Sequence, residues 1–333
     1  MIIMEIVAKV VIRGGGIAAT TAAHLLRRAG CSVAWRNTDR PRLPAILLSE
    51  AAQALLSDIF EKQNLFRDCH PIRKRVVAWG REDAVTVEHS AVVVSEDWLL
   101  DHLRLETDDQ ISSPAWTIFS SRPPHTAEHR FGSRIASATR VELSDSSACA
   151  IEALDAGWLF LVPDAPGSGW LLAVGEAPLD RSRVIAKMIS RAGAAAGEFP
   201  AYPQIVSPLA GEGWLACGSA AMSFDPICGD GTGNAVREAI LASAVIGAAL
   251  KGHAAESLIE HYQARLKLGF KRHLMLCRDF YRTGGPGIWW RREAEAIEEG
   301  IVWCGAEPRF RYQLAGFELA EIPRAAVHPG SPE

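Results

Sequence analysis

The amino-acid sequence predicts an α/β protein, α+β overall, in which a parallel sheet is combined with an antiparallel one. The β-branched run at residues 5–13 ends at three glycines and is followed by helical apolar spacing and a second strand, so the first 36 residues predict a strand–helix–strand unit. Residues 111–174 are short β-rich pieces separated by turns. After residue 230 the pattern is helical.

Length and composition exclude several classes of protein. A chain of 333 residues can form two domains, or one domain with an inserted lobe. The net charge of -4 gives no electrostatic reason to expect nucleic acid binding. The N-terminus lacks a basic segment followed by a cleavage site, and Lys9 and Arg13 interrupt its apolar run, so neither a leader nor a membrane span is predicted.

The cysteines are seven in number, scattered, and never spaced as CxxC. This pattern predicts neither a disulfide framework nor a metal site. We therefore expect a protein of the reducing cytoplasm, with no metal.

The elements of the first hundred residues follow from apolar spacing and from capping residues. A helix stops at Gly30, a residue typical of helix C-termini, and Ser95 is expected to cap the N-terminus of a helix whose first turn carries Glu96. The predicted elements are a helix at 17–29, a strand at 32–35, a helix at 45–60, strands at 73–79 and 90–94, and a helix at 95–103.

The second half of the chain begins with the β-rich region, which we expect to form an antiparallel sheet. Its pieces are AWTIFSS, RFGSRIAS, ACAIEAL, GWLFLVP and GWLLAVG. The alanine-rich stretch 181–196 predicts a helix, and GWLACG at 213–218 predicts a buried strand. A buried helix at 235–250 and amphipathic helices to residue 300, broken at TGGPGIWW, complete the prediction.

The first glycine turn has the spacing of a dinucleotide-binding fingerprint. Gly14 permits the tight turn, Gly16 lets a pyrophosphate approach the backbone, and the small Ala19 lets the helix lie close to the strand. A strand-to-helix turn without a ligand is the alternative. Where an acidic residue usually binds the ribose, this chain has Asn37, which can hydrogen-bond hydroxyls. Arg42, in the connection that follows, is also assigned to the cofactor site.

The second glycine-rich stretch, CGSAAMSFDPICGDGTGN, spans residues 217–234 between a predicted strand and a buried helix. At Gly218, Gly229 and Gly231 the backbone can pass close to a ligand. The helix that starts near Gly233 would direct its positive end at an electron-rich group. A flavin ring, which gains negative charge on reduction, is such a group.

Together these two motifs resemble those of the FAD-dependent aromatic hydroxylase and flavin-dependent halogenase superfamily, with its p-hydroxybenzoate hydroxylase type of fold. Within it, AMSFDPICGDGTGNAVREAILAS and GWLFLVP are most similar to the halogenase-related group that includes flavoproteins maturing tryptophylquinone cofactors. The resemblance implies a Rossmann-like FAD-binding domain, an antiparallel-sheet substrate lobe and C-terminal helices. It implies FAD as the cofactor.

The resemblance also assigns residues to the FAD site. Gly14, Gly16 and Ala19 would line the pyrophosphate. Pro226, Gly229 and Gly231 match the P-x-x-G-x-G that runs beside the isoalloxazine, and Thr232 and Gly233 continue it. Ser219 stands where the family has an aspartate that binds the ribityl chain, so the charge of that carboxylate is missing.

The predicted function is hydroxylation of an electron-rich aromatic ring, with a tryptophan side chain of a peptide or protein as one substrate. Halogenation is an alternative, because Trp158 and Pro163 keep part of the halogenase W-x-W-x-I-P motif and Lys74 lies in a region comparable with that of the relay lysine. A plain apolar strand explains the motif equally well. A third alternative is an eroded flavoprotein that acts as an interaction scaffold.

Candidates for the polar groups of the pocket are Asp225, Cys228, Glu152 and His273; Asp225, Glu152 and Lys74 are the candidate catalytic residues. Each also has a structural explanation, such as a loop cap for Asp225 or a charged edge strand for Lys74. We find no D-G motif for a nicotinamide in 104–150, so the electron donor is NAD(P)H at another surface or a partner flavin reductase.

The predicted domain organisation is discontinuous. The FAD-binding domain comprises residues 1–72, 90–110 and 205–252, and the substrate lobe comprises residues 73–89 and 111–204. Residues 253–333 form a C-terminal helical region. The expected partners are an aromatic small molecule or a peptide or protein substrate, with no nucleic acid and no membrane.

Overall fold

A computed structural model describes residues 8–38, 40–80, 83–105 and 111–323. Its α-helices are α1 (Ile17–Arg28), α2 (Glu50–Phe60), α3 (Glu96–His102), α4 (Ile185–Met188), α5 (Gly231–Leu250), α6 (Ala255–Gly284) and α7 (Ile288–Cys304). The predicted cap of α3 is confirmed, because Ser95 Oγ accepts a hydrogen bond from the Trp98 amide. The predicted break near residue 285 separates α6 from α7.

The first sheet is largely parallel. Its strand order is β14 (Ala210–Gly211), β15 (Trp214–Ala216), β6 (Trp116–Ser120), β1 (Lys9–Gly14) and β2 (Ser32–Arg36). β1 pairs in parallel with β2 and β6, and β6 pairs in parallel with β15. The carboxyl ends of these four strands therefore meet at one edge, which brings both glycine-rich turns together.

The position of β6 corrects one expectation. AWTIFSS was expected in the antiparallel sheet, but its strand lies beside β1 in the parallel sheet. An apolar strand of this kind fits either sheet, and only the pairing partner decides. The division of the chain into domains stays a prediction.

The second sheet carries the β-rich region. Its order is β12 (Ile189–Pro200), β8 (Ile135–Leu143), β11 (Ser168–Glu176), β10 (Ala156–Ala165), β9 (Ala148–Leu154), β4 (His70–Ala78), β5 (Val85–Val94) and β3 (Ile46–Ser49). Every neighbouring pair is antiparallel except β4 and β9. The predicted strand ACAIEAL is β9, residue for residue.

Two predicted helices are shorter than expected. Only residues 185–188 of the alanine-rich stretch 181–196 are α-helical, and residues 189–196 belong to the edge strand β12, which pairs with β8 through several register shifts. Tertiary pairing has overridden the helix propensity of alanine there. Residues 46–49 form β3, and the helix begins at Glu50 because Ser49 Oγ caps the Ala52 amide.

The remaining strands form two small sheets, β16 (Met222–Ser223) with β13 (Gln204–Ser207) and β7 (Ala127–Arg130), and β17 (Tyr312–Ala315) with β18 (Glu318–Glu321). The main hydrophobic core lies between the first sheet, α1, α5 and α6. Among the described residues α5 alone is long and apolar enough to cross a membrane, but 67% of its most apolar window is buried inside the protein. It is the predicted buried core helix.

Candidate functional site

The first glycine turn and Gly218, at the start of the second glycine-rich stretch, both lie against Ser120 at the carboxyl edge of the parallel sheet. Gly14 has φ +112°, and a Cβ there would collide with the Ser120 backbone. Ser120 Oγ in turn donates a hydrogen bond to the Gly15 carbonyl at 3.1 Å. A Cβ on Gly218 would lie only 2.8 Å from the Ala18 Cβ. The backbone of three distant chain segments therefore packs closely because these positions carry no side chain.

The N-terminus of α1 is built to face an anion. Gly16 is its N-cap residue with φ +94°, and no described side chain caps the helix there. Ala19 is completely buried, as expected of the small residue that lets the helix lie close to the sheet. The free amides and the helix dipole together favour a negatively charged group at this point.

The group that lies at this point in the structure is the carboxylate of Glu96. It is buried and accepts hydrogen bonds from Arg40 Nη1 at 3.0 Å and from the Leu43 amide at 3.1 Å. A Cβ on Gly16 would lie 3.3 Å from Glu96 Oε1 and 2.5 Å from Arg40 Nη2. The chain's own ion pair is therefore placed against the turn to which the sequence assigns a pyrophosphate.

Two other predicted cofactor residues border the same turn. A Cβ on Gly15 would collide with the side-chain amide oxygen of Asn37, and it would lie 3.8 Å from Arg42 Nη1. Arg42 Nη1 is also 3.8 Å from Glu96 Oε1. Two guanidinium groups thus surround one carboxylate, a set of donors that also suits phosphate oxygens.

The second turn is more open. Ser219, Gly229 and Gly231 are exposed, and Gly229 has φ +65°. Pro226 begins a short 3₁₀ turn, and Thr232 and Gly233 lie in the first turn of α5. Asp230, the N-cap residue of α5, forms an ion pair with Arg237 at 2.7 Å.

Asp225 is the centre of a buried polar network. Its Oδ2 accepts hydrogen bonds from Arg134 Nε at 2.7 Å and from the Tyr281 hydroxyl at 2.9 Å, and its Oδ1 accepts one from the Ile227 amide at 2.9 Å. The Asp225 amide donates to His273 Nε2 at 2.9 Å. Asp225 therefore fixes the loop that leads to Gly229.

Arg134 links two carboxylates. Its Nη1 donates to Glu293 on α7, and its guanidinium carbon lies 4.5 Å above the centre of the Tyr281 ring. Burial lowers the pKa of Arg134, but Tyr281, Asp225 and Glu293 together raise it above its ordinary value. One cation thus faces two buried carboxylates, and Arg134 Nη2 has no hydrogen-bond partner among the described residues.

Two cysteines and a histidine form a second group of contacts next to Asp225. Cys228 Sγ is 3.5 Å from Cys277 Sγ, and Cys277 Sγ is 3.2 Å from His273 Nε2. A hydrogen bond from Cys277 lowers the pKa of Cys228 to about 6, against burial, which raises it. Burial raises the pKa of Cys277 well above its usual value.

Buried aromatic side chains border the polar network around Asp225. Trp158 Nε1 donates to the Tyr281 hydroxyl at 3.1 Å, and both side chains are fully buried. The rings of Tyr281 and Trp290 lie 5.5 Å apart, and Trp290 packs onto Gly284 at the end of α6. Trp158, from the GWLFLVP strand, is thus joined to Asp225 through one hydroxyl.

The other two candidate catalytic residues lie elsewhere. Glu152 is fully buried, but its carboxylate accepts hydrogen bonds from Ser182 Oγ at 2.5 Å and from the Arg183 amide at 2.7 Å. Burial raises its pKa, but these bonds, led by one from the Ile185 amide, lower it overall. Lys74 is exposed on β4. The structure therefore brings Asp225, Cys228 and His273 together and leaves Glu152 and Lys74 apart from them.

Sequence reasoning missed several members of the site. Arg134, Tyr281 and Cys277 belong to no recognisable motif, and they contact Asp225 or Cys228 from distant elements. Glu293, which is likewise in no motif, joins the network through Arg134. Sequence reasoning also missed Glu238 on α5, whose Oε2 accepts a hydrogen bond from the Gly218 amide at 2.7 Å. Burial raises the pKa of Glu238 to about 8.

Comparisons by sequence give no match, either to a protein-family profile or to a curated protein. Solved structures do match. The peptidyl tryptophan dihydroxylase QhpG, essential for tryptophylquinone cofactor biogenesis, has a TM-score of 0.73 at 17% identity, over 95% of this chain and 86% of its own. The flavin-dependent halogenase CmlS has a TM-score of 0.74 at 15% identity, over 91% of this chain and 71% of its own.

A third match is HpxO of Klebsiella pneumoniae, solved with FAD and uric acid, with a TM-score of 0.63 at 14% identity. It covers 89% of this chain and 96% of its own. At such identities the likeness establishes architecture and leaves the chemistry open. The chain has the fold shared by these flavin-dependent hydroxylases and halogenases, as the two glycine motifs predicted.

Proposed function

We propose that the protein is an FAD-dependent monooxygenase that hydroxylates an electron-rich aromatic ring, and that this ring is a tryptophan side chain of a peptide or protein. The observation that carries the proposal is that the Gly14–Gly16 turn and Gly218 lie together against Ser120 at one edge of the parallel sheet. A split site of this form suits a dinucleotide, which binds across the carboxyl ends of parallel strands.

The residues fit FAD in most respects. Gly14, Gly16 and Ala19 would hold the pyrophosphate at the start of α1, with Asn37 and Arg42 at its border. The glycines at 229, 231 and 233, with Pro226, Thr232 and Ser219, would lie along the rest of the cofactor. Among the described residues Glu96 opposes the fit, because its carboxylate would repel a phosphate.

When bound, FAD would supply the activation of oxygen, which no side chain can provide. The protein's own contribution is positioning and exclusion of water. Asp225 already receives three hydrogen bonds, so we assign it the task of holding the 225–229 loop rather than that of a base. The buried rings of Trp158, Tyr281 and Trp290 would keep that side of the site dry.

A tryptophan substrate is supported by the likeness to a peptidyl tryptophan dihydroxylase over 95% of this chain. Halogenation is supported by the likeness to halogenases. The position of Lys74, the candidate relay residue, argues against halogenation, because Lys74 is exposed on β4 and lies apart from Asp225. A scaffold without flavin is supported by Ala19, Asn37 and Ser219, which depart from the family's FAD motifs, and by the position of Glu96. A partner flavin reductase or NAD(P)H as electron donor and a cytoplasmic location stay predictions.

The test is a turnover experiment with the full chain, FAD, dithionite or a flavin reductase with NADH, and oxygen. The substrates are a tryptophan-containing peptide and the same peptide with phenylalanine in place of tryptophan. The proposal expects the mass of one oxygen atom to be added to the first peptide only, with or without chloride and bromide.

The matched pair of variants is Asp225→Asn and Asp164→Asn. Asp225→Asn should reduce oxygen transfer, because it weakens the bond to Arg134. Asp164→Asn changes a partly buried carboxylate that pairs with Arg140 outside the Asp225 network, and it should leave oxygen transfer unchanged. A gain of mass that requires halide would replace hydroxylation by halogenation. Flavin-loaded protein that leaves both peptides unchanged would overturn the proposed substrate.

A further inference from the structure

The cluster of Cys228, His273 and Cys277 is not used by the proposed function. The ligand atoms of these three residues, two Sγ and Nε2, all lie within 4.8 Å of one another. Cys228 belongs to the 3₁₀ turn before Gly229, and the other two belong to α6. We propose that these residues form a binding site for a divalent transition metal of the zinc type.

The distances fit tetrahedral coordination. With a Zn–S bond of about 2.3 Å and a Zn–N bond of about 2.0–2.1 Å, a tetrahedral site needs sulfurs about 3.8 Å apart and sulfur and nitrogen about 3.6 Å apart. The structure has 3.5 Å between Cys228 Sγ and Cys277 Sγ, and 3.2 Å between Cys277 Sγ and His273 Nε2. These two pairs of donors therefore need to separate by only a few tenths of an ångström to admit the ion, and the third pair, Cys228 and His273, lies within 4.8 Å.

The helix holds two of the donors in place. His273 and Cys277 are four residues apart on α6, so their side chains share one face of the helix. His273 Nε2 accepts the Asp225 amide proton at 2.9 Å, so this nitrogen carries the lone pair that a metal needs. A bound metal would use this lone pair, so it would compete with the hydrogen bond that the Asp225 amide donates to His273 Nε2.

The balance of charge favours a dication. Both thiols must lose a proton to solvent on binding, so two thiolates and one dication add no net charge to the buried site. Soft thiolate and imidazole ligands select zinc-like metals over magnesium or calcium. Three protein ligands leave a fourth position for water or another small ligand, as in catalytic rather than structural zinc sites.

The three residues are too far apart in the sequence to form a recognisable metal-binding motif. Cys228 precedes His273 by 45 residues, and the only local pattern is H-x-x-x-C. The sequence alone accordingly predicts no metal site. None of the three residues is assigned to the cofactor, although Cys228 lies in the loop between Pro226 and Gly229, so metal binding is tested here without FAD.

The test is an anaerobic titration of the reduced, chelator-treated full-length chain with Co(II), followed by displacement with Zn(II). One equivalent of Co(II) should give thiolate-to-cobalt charge-transfer absorption and the visible bands of a tetrahedral ion, and Zn(II) should abolish both. Zinc should also protect two of the seven thiols from alkylation at Cys228 and Cys277.

The variants are Cys228→Ser, Cys277→Ser and His273→Gln, with Cys304→Ser as the control from a buried cysteine outside the cluster. Loss of one ligand should weaken Zn(II) binding at least about 100-fold, because loss of an outer partner alone costs about 10–100-fold. Cys228 is only partly buried, so its variant is expected to fold, which circular dichroism would verify.

Three results would overturn the site. They are the absence of charge-transfer absorption in the reduced wild-type chain, unchanged absorption in Cys228→Ser, and an equal loss in Cys304→Ser. If Cys228 and Cys277 are joined by a disulfide on purification and fail to bind Co(II) after reduction, the pair is a redox pair and the metal site is likewise excluded.

Discussion

Arg134 Nε donates a hydrogen bond to Asp225 Oδ2 at 2.7 Å, and both side chains are completely buried. The same guanidinium also bonds to Glu293. The Arg134 guanidinium therefore connects the loop that contains Asp225 with α7, which carries Glu293. The loop that runs from Asp225 to Gly229 depends on this connection for its position.

Removing the cation should destabilise the protein strongly. Arg134→Leu would leave Asp225 and Glu293 buried without their counterion, and breaking a buried ion pair in this way costs about 3–5 kcal/mol. Urea unfolding would measure the loss. Arg140→Leu breaks a partly exposed pair with Asp164 and should cost about 1 kcal/mol or less. Equal losses in the two variants would mean that the buried network does not stabilise the fold.

Neutralising Glu96 should strengthen FAD binding. Glu96→Gln removes the carboxylate that lies against the first turn of α1 and leaves Arg40 and Arg42 free to face phosphate oxygens. We expect a Kd for FAD about tenfold lower, which corresponds to about 1.4 kcal/mol. Quenching of flavin fluorescence measures this Kd directly.

The control for Glu96 is Asp101→Asn, which makes the same change of charge at an exposed position of α3. It should leave the Kd nearly unchanged, because the charge is remote and screened. Weaker FAD binding by Glu96→Gln would show that Glu96 organises the site rather than competing with the cofactor.

Glu238 should make stability depend on pH. Burial raises its folded-state pKa from 4.5 to about 8, so the neutral form stabilises the folded protein at low pH and this contribution is lost as the pH rises toward 8. Glu238→Gln does not titrate. The free energy of unfolding of Glu238→Gln, relative to that of the wild type, should therefore increase between pH 5 and pH 8, by at most about 1.4 kcal/mol per pH unit.

Thermal or urea unfolding at several pH values would measure this difference. Glu61→Gln, at an exposed position beside α2, should show no such trend. A difference between wild type and Glu238→Gln that is constant from pH 5 to pH 8 would contradict the raised pKa of Glu238.

The parts of the fold with local signals were predictable. The turn at Gly14–Gly16, the helix capped by Ser95 and the break between α6 and α7 each depend on residues adjacent in sequence. The strand character of 189–200 was not predictable, because alanine and glycine there pair with β8, whose position the local sequence does not encode.

The candidate site was predictable only in part. Asp225, Cys228 and His273 were recognised one by one, but nothing local indicates that the Asp225 amide donates to His273. Arg134 is separated from Asp225 by 91 residues and from Glu293 by 159. Contacts of this kind arise from the packing of sheets and helices, which a single sequence does not specify.

We infer that the two glycine turns form one FAD site. The most direct test is the visible absorption spectrum of the purified full-length protein with and without added FAD, followed by identification of the flavin released on denaturation. We expect an oxidised-flavin spectrum that yields FAD. A colourless protein that fails to bind FAD at saturating concentration, in the wild type and in Glu96→Gln alike, would contradict it.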